Sequence, residues 1–302
     1  MPTFRISGSH EPVGGNDVIL RKENGRITAL FNNTVDPAVM SDSYNKIAAY
    51  MHWFGQTSDR VREIIVDASD GDKPSAACYR YSSTSAQDTL LPDAHFFRDC
   101  GYKETDRFAA DHPVAWEDRG DRIVWRGRLN NNGLFSLDTA LVDNPAVKQR
   151  LRMALKCKDS DIDFRFVADP GQRHDRILHD AGLIGGYIPV HDWGGMKYAI
   201  DIDGYTNAWC NLMQRLKLGC CMLKVESPFG FRQWYYPRLV PWEHYVPIRA
   251  DLADLAEQAD WVRSNQPSAR RIAEAGQALA KSLTFETETR SAVAAIEERG
   301  AL

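Results

Sequence analysis

The alternation of apolar and polar positions divides the chain into two stretches of different regularity. Over the first 40 residues turn formers dominate. Gly14-Gly15-Asn16-Asp17 and Lys22-Glu23-Asn24-Gly25 read as turns, and residues 18–21 with 26–31 read as a hairpin. Residues 43–54 carry an apolar helical face at Tyr44, Ile47, Ala48 and Met51. Residues 62–67 read as a short buried strand centred on Glu63-Ile64-Ile65-Val66, and a polar loop follows from Asp67 to Pro74. From Asp121 onward strands and helices alternate. Residues 122–125, 163–167, 198–202 and 220–225 read as strands, with helices over 145–156 and 208–218 between them. That order predicts an α/β fold with a parallel sheet and helical crossovers. Residues 251–265 and 268–283 read as helices with Asp251 and Ser268 as their N-caps. An amphipathic helical tail follows over 284–298. The expected boundaries are 1–118, 119–283 and a tail over 284–302.

The length of 302 residues is long for one core and comfortable for two domains. With 43% apolar and 26% charged residues the balance is that of a globular protein. A net charge of −4 sets aside a general nucleic-acid binder but leaves room for a local basic pocket around a diphosphate. The six cysteines, at 78, 100, 157, 210, 220 and 221, form no CxxC pair, so neither a zinc site nor a disulfide framework is expected. Residues 1–10 lack an apolar leader core, and no apolar run approaches the roughly 18 residues of a membrane span. The expectation is a reduced, cytoplasmic protein without a transmembrane segment, with peripheral membrane association left open.

Several motifs narrow the chemistry. There is no Walker A sequence and no GxGxxG after a strand, which removes P-loop and dinucleotide enzymes. Asp67-Ala68-Ser69-Asp70-Gly71-Asp72 begins like a calcium loop, but Cys78 stands where the closing Glu belongs. The same carboxylates end a strand, where open α/β sheets place ligands; a solvated acidic turn is the other reading. Asp201-Ile202-Asp203 is a DxD pair suited to a hard cation. Strand alternation would put both carboxylates on one face in any case, and Asp203-Gly204 is an ordinary turn. His174 and His179, beside Asp175 and Asp180, do not form HExxH, and His191-Asp192 lies in a loop before Gly194-Gly195. Arg126-Gly127-Arg128 follows the strand ending at Trp125. It can offer N–H and guanidinium groups to a diphosphate, or be an exposed basic turn.

Residues 197–276 as a block resemble glycosyltransferase family 90, which includes CAP10-like capsule proteins, protein O-glucosyltransferases and bacterial lipopolysaccharide-modifying enzymes. The matching residues are Lys197-Tyr198, Asp203-Gly204, Gly219, Tyr236, Leu239 and above all Pro241-Trp242-Glu243-His244-Tyr245-Val246-Pro247. Asp251-Leu252, Asp254-Leu255, Asn265, Ala269, Ile272-Ala273 and Gly276 complete the block. Upstream, Trp125-Arg126-Gly127 and the strand from Ile64 to Asp70 continue it. The resemblance implies a GT-B architecture, two Rossmann-like domains facing across a cleft, with a UDP-sugar held mainly by the C-terminal one. It implies inverting transfer of a hexose or pentose to an acceptor hydroxyl on a glycan, protein or small molecule, with no cofactor or metal required. Asp70 is then the general base, with Asp67 and Asp72 as near alternatives.

Donor contacts fall on Arg126, Gly127, Arg128, the segment Gly204, Tyr205, Thr206, Asn207, Ala208, and Arg215. Three departures accompany the resemblance. Arg128 replaces a Ser, Leu134 stands nearest an expected helix-start Arg, and Asn211 replaces a helical Arg, with Arg215 one turn later. Trp242, Tyr245 and Val246 are expected in the core, with Glu243 and His244 nearer the cleft. Two other readings stand beside this one: a metal-dependent sugar or phosphoryl transferase using Asp201 and Asp203, and a catalytically degenerate protein that still binds a nucleotide-sugar.

Overall fold

The computed structural model describes residues 3–9, 14–32, 37–130, 132–169, 171 and 173–300. The chain groups into two compact units. One comprises residues 1–101, 230–236 and 283–302; the other comprises 102–229 and 237–282. Residues 102–118 therefore lie with the second unit, and the C-terminal tail with the first.

The first unit contains β1 (Thr3–Ser9), β2 (Asp17–Glu23), β3 (Arg26–Asn32), α1 (Pro37–Gly55), β4 (Glu63–Asp67), β5 (Tyr79–Arg80), β6 (Thr89–Leu90) and α2 (Ala94–Arg98). Its sheet has the order β1-β3-β2-β4-β5-β6. The hairpin expected from the turn at Asn24-Gly25 forms, and a two-residue connection forces β2 and β3 antiparallel. Because β2 also runs antiparallel to β4, this sheet is mixed, where the resemblance implied a Rossmann-like one. Tyr50, Trp53 and Phe54 of α1 are fully buried beneath it.

The second unit contains α3 (Lys103–Asp111), β7 (Gly120–Gly127), α4 (Gln149–Cys157), β8 (Asp163–Val167), α5 (Asp175–Asp180), β9 (Ile184–Gly185) and β10 (Met196–Asp201). After these come α6 (Cys210–Lys217), β11 (Cys221–Val225), β12 (Val246–Ile248), α7 (Leu255–Ser264) and α8 (Gln266–Ser282). All five strand pairings are parallel, in the order β12-β11-β10-β7-β8-β9. Every residue of β11 is buried, as are all of β10 after Met196, the pattern of strands covered on both faces. Trp125 stacks on Phe164 with ring centroids 4.1 Å apart and meets Phe166 edge-on, which ties β7 to β8 from within the core.

Two expected caps are corrected. Asp251 accepts from the Ala253 N–H in a local turn, and α7 starts later, at Leu255, behind Asp254. Ser268 lies inside the first turn of α8, which already begins at Gln266. The final helix, α9 (Phe285–Gly300), is capped by a reciprocal pair in which the Thr287 and Thr284 backbone N–H groups each reach the other's hydroxyl. Phe285 then packs against His52 and Trp53, and so the tail completes the first unit's core. None of the described helices is long and apolar enough to cross a membrane.

Candidate functional site

In the second unit the chain leaves β7 toward β8 and β9 on one side, and later fills β10, β11 and β12 on the other. The adjacent strands β7 and β10 therefore form the topological switch point of a parallel sheet, and open α/β sheets have their ligand crevice beyond the carboxyl ends of the strands at such a point. The loops that follow these two strands are residues 128–130 and 202–208. They hold most of the donor contacts expected from the sequence.

Around the switch point lie buried polar groups that the fold leaves incompletely paired. Asp201 is wholly buried; its Oδ2 takes a 2.9 Å bond from Lys224 Nζ, and its Oδ1 has no partner. Asp203 is buried too, and neither carboxylate oxygen has a hydrogen bond of ordinary geometry. Burial pushes its pKa up to about 6, against the opposing pull of Lys224 and the nearby Ser227. The Thr206 hydroxyl and the side-chain oxygens of Asn130 and Gln149 are buried without partners as well. Such a concentration of unsatisfied polar atoms belongs at a binding site rather than in a core. Tyr205 stands at the rim, 46% exposed, with its carbonyl accepting from the Asn132 amide.

Arg150, one residue into α4, was not singled out from the sequence. Its Nη1 donates to the Arg128 carbonyl at 2.8 Å and its Nη2 to the Ile202 carbonyl at 2.9 Å. The guanidinium lies over Trp125, and burial lowers its pKa to about 10, so it remains a cation at neutral pH. Lys148 precedes α4, with its N–H on the Leu134 carbonyl, and burial lowers the pKa of its ammonium. It is the cation beside the position where an arginine was expected.

The expected donor residues divide into two groups. Gly127 sits where a Cβ would come within 2.6 Å of the Trp125 ring, so a side chain here would collide with that ring. Arg128 is exposed and 3.4 Å from Asp169. Gly204, Tyr205, Thr206, Asn207 and Ala208 form the facing loop. Arg126, by contrast, spends four of its five N–H bonds within the fold, on the Gly186, Trp125 and Asp163 carbonyls and the Asp163 carboxylate. Arg215 is buried, stacked 3.8 Å from Trp193 and donating to the Ile200 carbonyl. Neither joins the crevice loops.

In the first unit, the loop after β4 separates its three aspartates. Asp67 is buried against Arg80 at 2.9 Å and takes the Ser69 N–H. Asp72 lies 3.3 Å from Lys73. Asp70 keeps 37% of its side chain exposed and is held by Lys46 at 2.6 Å. Gly71 next to it adopts φ +92°, and a Cβ there would overlap the Ser82 carbonyl. The sharp turn that presents Asp70 thus depends on glycine.

The sequence profile of glycosyl transferase family 90 matches residues 73–287. The chain belongs to glycosyl transferase family 90. The family match spans the whole switch-point crevice and begins three residues beyond Asp70. Human protein O-glucosyltransferase 3 is 30% identical over 170 residues, which is 56% of this chain and 29% of that protein. Uncharacterized protein 027R of Frog virus 3 is 29% identical over 227 residues, 67% of this chain and 21% of its own. Uncharacterized protein 035R of Invertebrate iridescent virus 3 is 37% identical over 87 residues, 29% and 8% of the two chains. This family 90 chain therefore spans less than a third of the length of each of these relatives.

The most recognisable family residues are largely scaffold. Val246 is fully buried and His244 Nδ1 accepts from the Val240 N–H to close a turn. Trp242 corrects the expectation of a core residue: it is 46% exposed and meets Trp261 edge-on.

Proposed function

We propose that the chain is an inverting glycosyltransferase of GT-B type, moving a hexose or pentose from a UDP-sugar to an acceptor hydroxyl. The observation that carries the reading is the β7–β10 switch point, with its cluster of buried, unsatisfied polar groups, lying inside the family 90 match. The donor binds there, with the N–H groups of residues 204–208 and the cation of Arg128 toward its diphosphate. In the displacement, the acceptor oxygen bonds to the anomeric carbon as the bond to the diphosphate oxygen breaks. Asp70 takes the acceptor proton and UDP departs with the bonding pair. The Lys46 ion pair fixes the Asp70 carboxylate while leaving part of it open.

The reading assigns no metal to Asp201 and Asp203. Lys224 already supplies the cation that Asp201 faces, and a divalent ion would have to displace it. The relatives named protein O-glucosyltransferase support a hydroxyl acceptor and glucose as the first sugar to try. Six unpaired cysteines support a reducing compartment, so a cytoplasmic setting is part of the proposal.

The deciding experiment is a screen of UDP-sugars for UDP release, with hydrolysis accepted as turnover. Release from at least one donor in the presence of EDTA is expected. Turnover lost in EDTA and restored by manganese would favour the metal-dependent reading, and UDP binding without any release would favour the degenerate one.

A further inference from the structure

The start of α4 gathers four loops by their backbone carbonyls. Gln149 Nε2 donates to Glu226 and Ala250, beyond β11 and β12. Arg152 reaches Val142 and Asp251. Between them, Arg150 reaches Arg128 and Ile202, one carbonyl from each loop that walls the switch-point crevice. All three side chains are buried.

Resting on the proposed donor reading, we infer that Arg150 is a positioning residue: a buried clamp that fixes the spacing of the β7 and β10 loops and so sets the shape of the diphosphate site. The geometry requires a guanidinium. Its planar fork places two N–H groups on carbonyls that belong to different loops, while its face rests on Trp125. A lysine ammonium carries the same charge on a compact head, and holding both acceptors with that orientation is beyond it. Gly204 packs closely against the clamp, since a Cβ there would stand 3.3 Å from Arg150 Nη2 and 3.2 Å from the Asn130 carbonyl. Arg150 thereby ties the two loops together by one buried side chain.

A clamp of this kind acts on ligand binding through preorganisation. Arg150→Lys tests it, with Arg150→Gln as the second variant; folding is followed by circular dichroism and thermal melting. UDP affinity is measured by calorimetry, donor KM and kcat by UDP release, and loop order by amide hydrogen exchange. In a folded variant, exchange should accelerate together in residues 128–130 and 202–208 while the strands stay protected. UDP affinity should fall about tenfold or more, the loss appearing in donor KM with kcat little changed.

Unchanged exchange in either loop overturns the clamp, as does wild-type UDP affinity in a variant with disordered loops. Unfolding of both variants overturns it too, since Arg150 would then serve the fold alone. If the wild-type chain binds no UDP, the donor reading fails; the exchange measurement still decides whether Arg150 couples the two loops.

Discussion

Two loops of this protein carry aspartates just past a strand, and they use them in opposite ways. After β4 the first aspartate, Asp67, is sealed against Arg80, and the chain then turns through Gly71 to present Asp70 half-exposed. After β10, Asp201 and Asp203 are both sealed, one on Lys224 and the other without an ordinary hydrogen bond. The local sequences, Asp67-Ala68-Ser69-Asp70 and Asp201-Ile202-Asp203, look alike as carboxylate clusters. Burial separates them. A carboxylate that must accept a proton from a substrate has to be reached, and only the β4 loop offers one. The β10 carboxylates instead lie buried beside the loop proposed to hold the donor.

The comparison breaks first at Asp70. Asp70→Asn should lower transfer by about 10²–10⁴-fold while UDP affinity stays within a small factor, because only proton acceptance is removed. Turnover near that of the wild type would return Asp70 to the status of a solvated turn residue. Next comes Lys224→Met, which strands Asp201 in the interior. A loss of about 4 kcal/mol in urea unfolding is expected, the penalty of an uncompensated buried charge. Asp67→Asn should cost somewhat less, about 3 kcal/mol, because Arg80 keeps a second carboxylate in Asp88 at 3.0 Å. If Asp67→Asn left stability intact and abolished transfer, the roles of Asp67 and Asp70 would have to be exchanged.

These differences mark what the sequence could disclose. The hairpin, the strand before Asp70 and the alternating strands of the second unit follow from turn residues and periodicity, and they appear at nearly the expected positions. Cys157 ends α4 one residue from the expected place, and β8 coincides with residues 163–167. Which cations serve the crevice was not legible. Arg126 and Arg150 are both arginines close to turns, and nothing in spacing says that one is spent on Asp163 and the other on two loops. Arg150 acts on backbone carbonyls, and a carbonyl leaves no signature in the residue that carries it. In Gln149-Arg150-Leu151-Arg152 three of the residues are polar, yet all four side chains are buried. The signal available was a helix start with too many long hydrogen-bond donors for its length. Arg215 shares the helix face of Asn211 but sits one turn, about 6 Å, further along the axis, where its guanidinium is spent on Trp193 and the Ile200 carbonyl.

The smallest expected effect concerns Asp203 and tests whether the β10 loop is built for binding at the expense of stability. Its pKa rises from the usual 3.8 to about 6, chiefly through burial. A carboxyl with a raised folded pKa binds its proton more tightly when folded than when unfolded. Its contribution is therefore fully present below about pH 4 and is lost as the pH rises through about 6. Asp203→Asn removes that loss, since the amide has no charged form. The variant should match the wild type near pH 4 and exceed it by about 2 kcal/mol at pH 7, so the two unfolding curves diverge across that window. Equal stability of the two proteins at both pH values would mean that water or Ser227 satisfies the carboxylate as well as solvent does. The β10 loop would then be no more strained than the β4 loop. A stability gain at pH 7 accompanied by weaker UDP binding would instead mark Asp203 as a group the fold tolerates for the sake of the crevice.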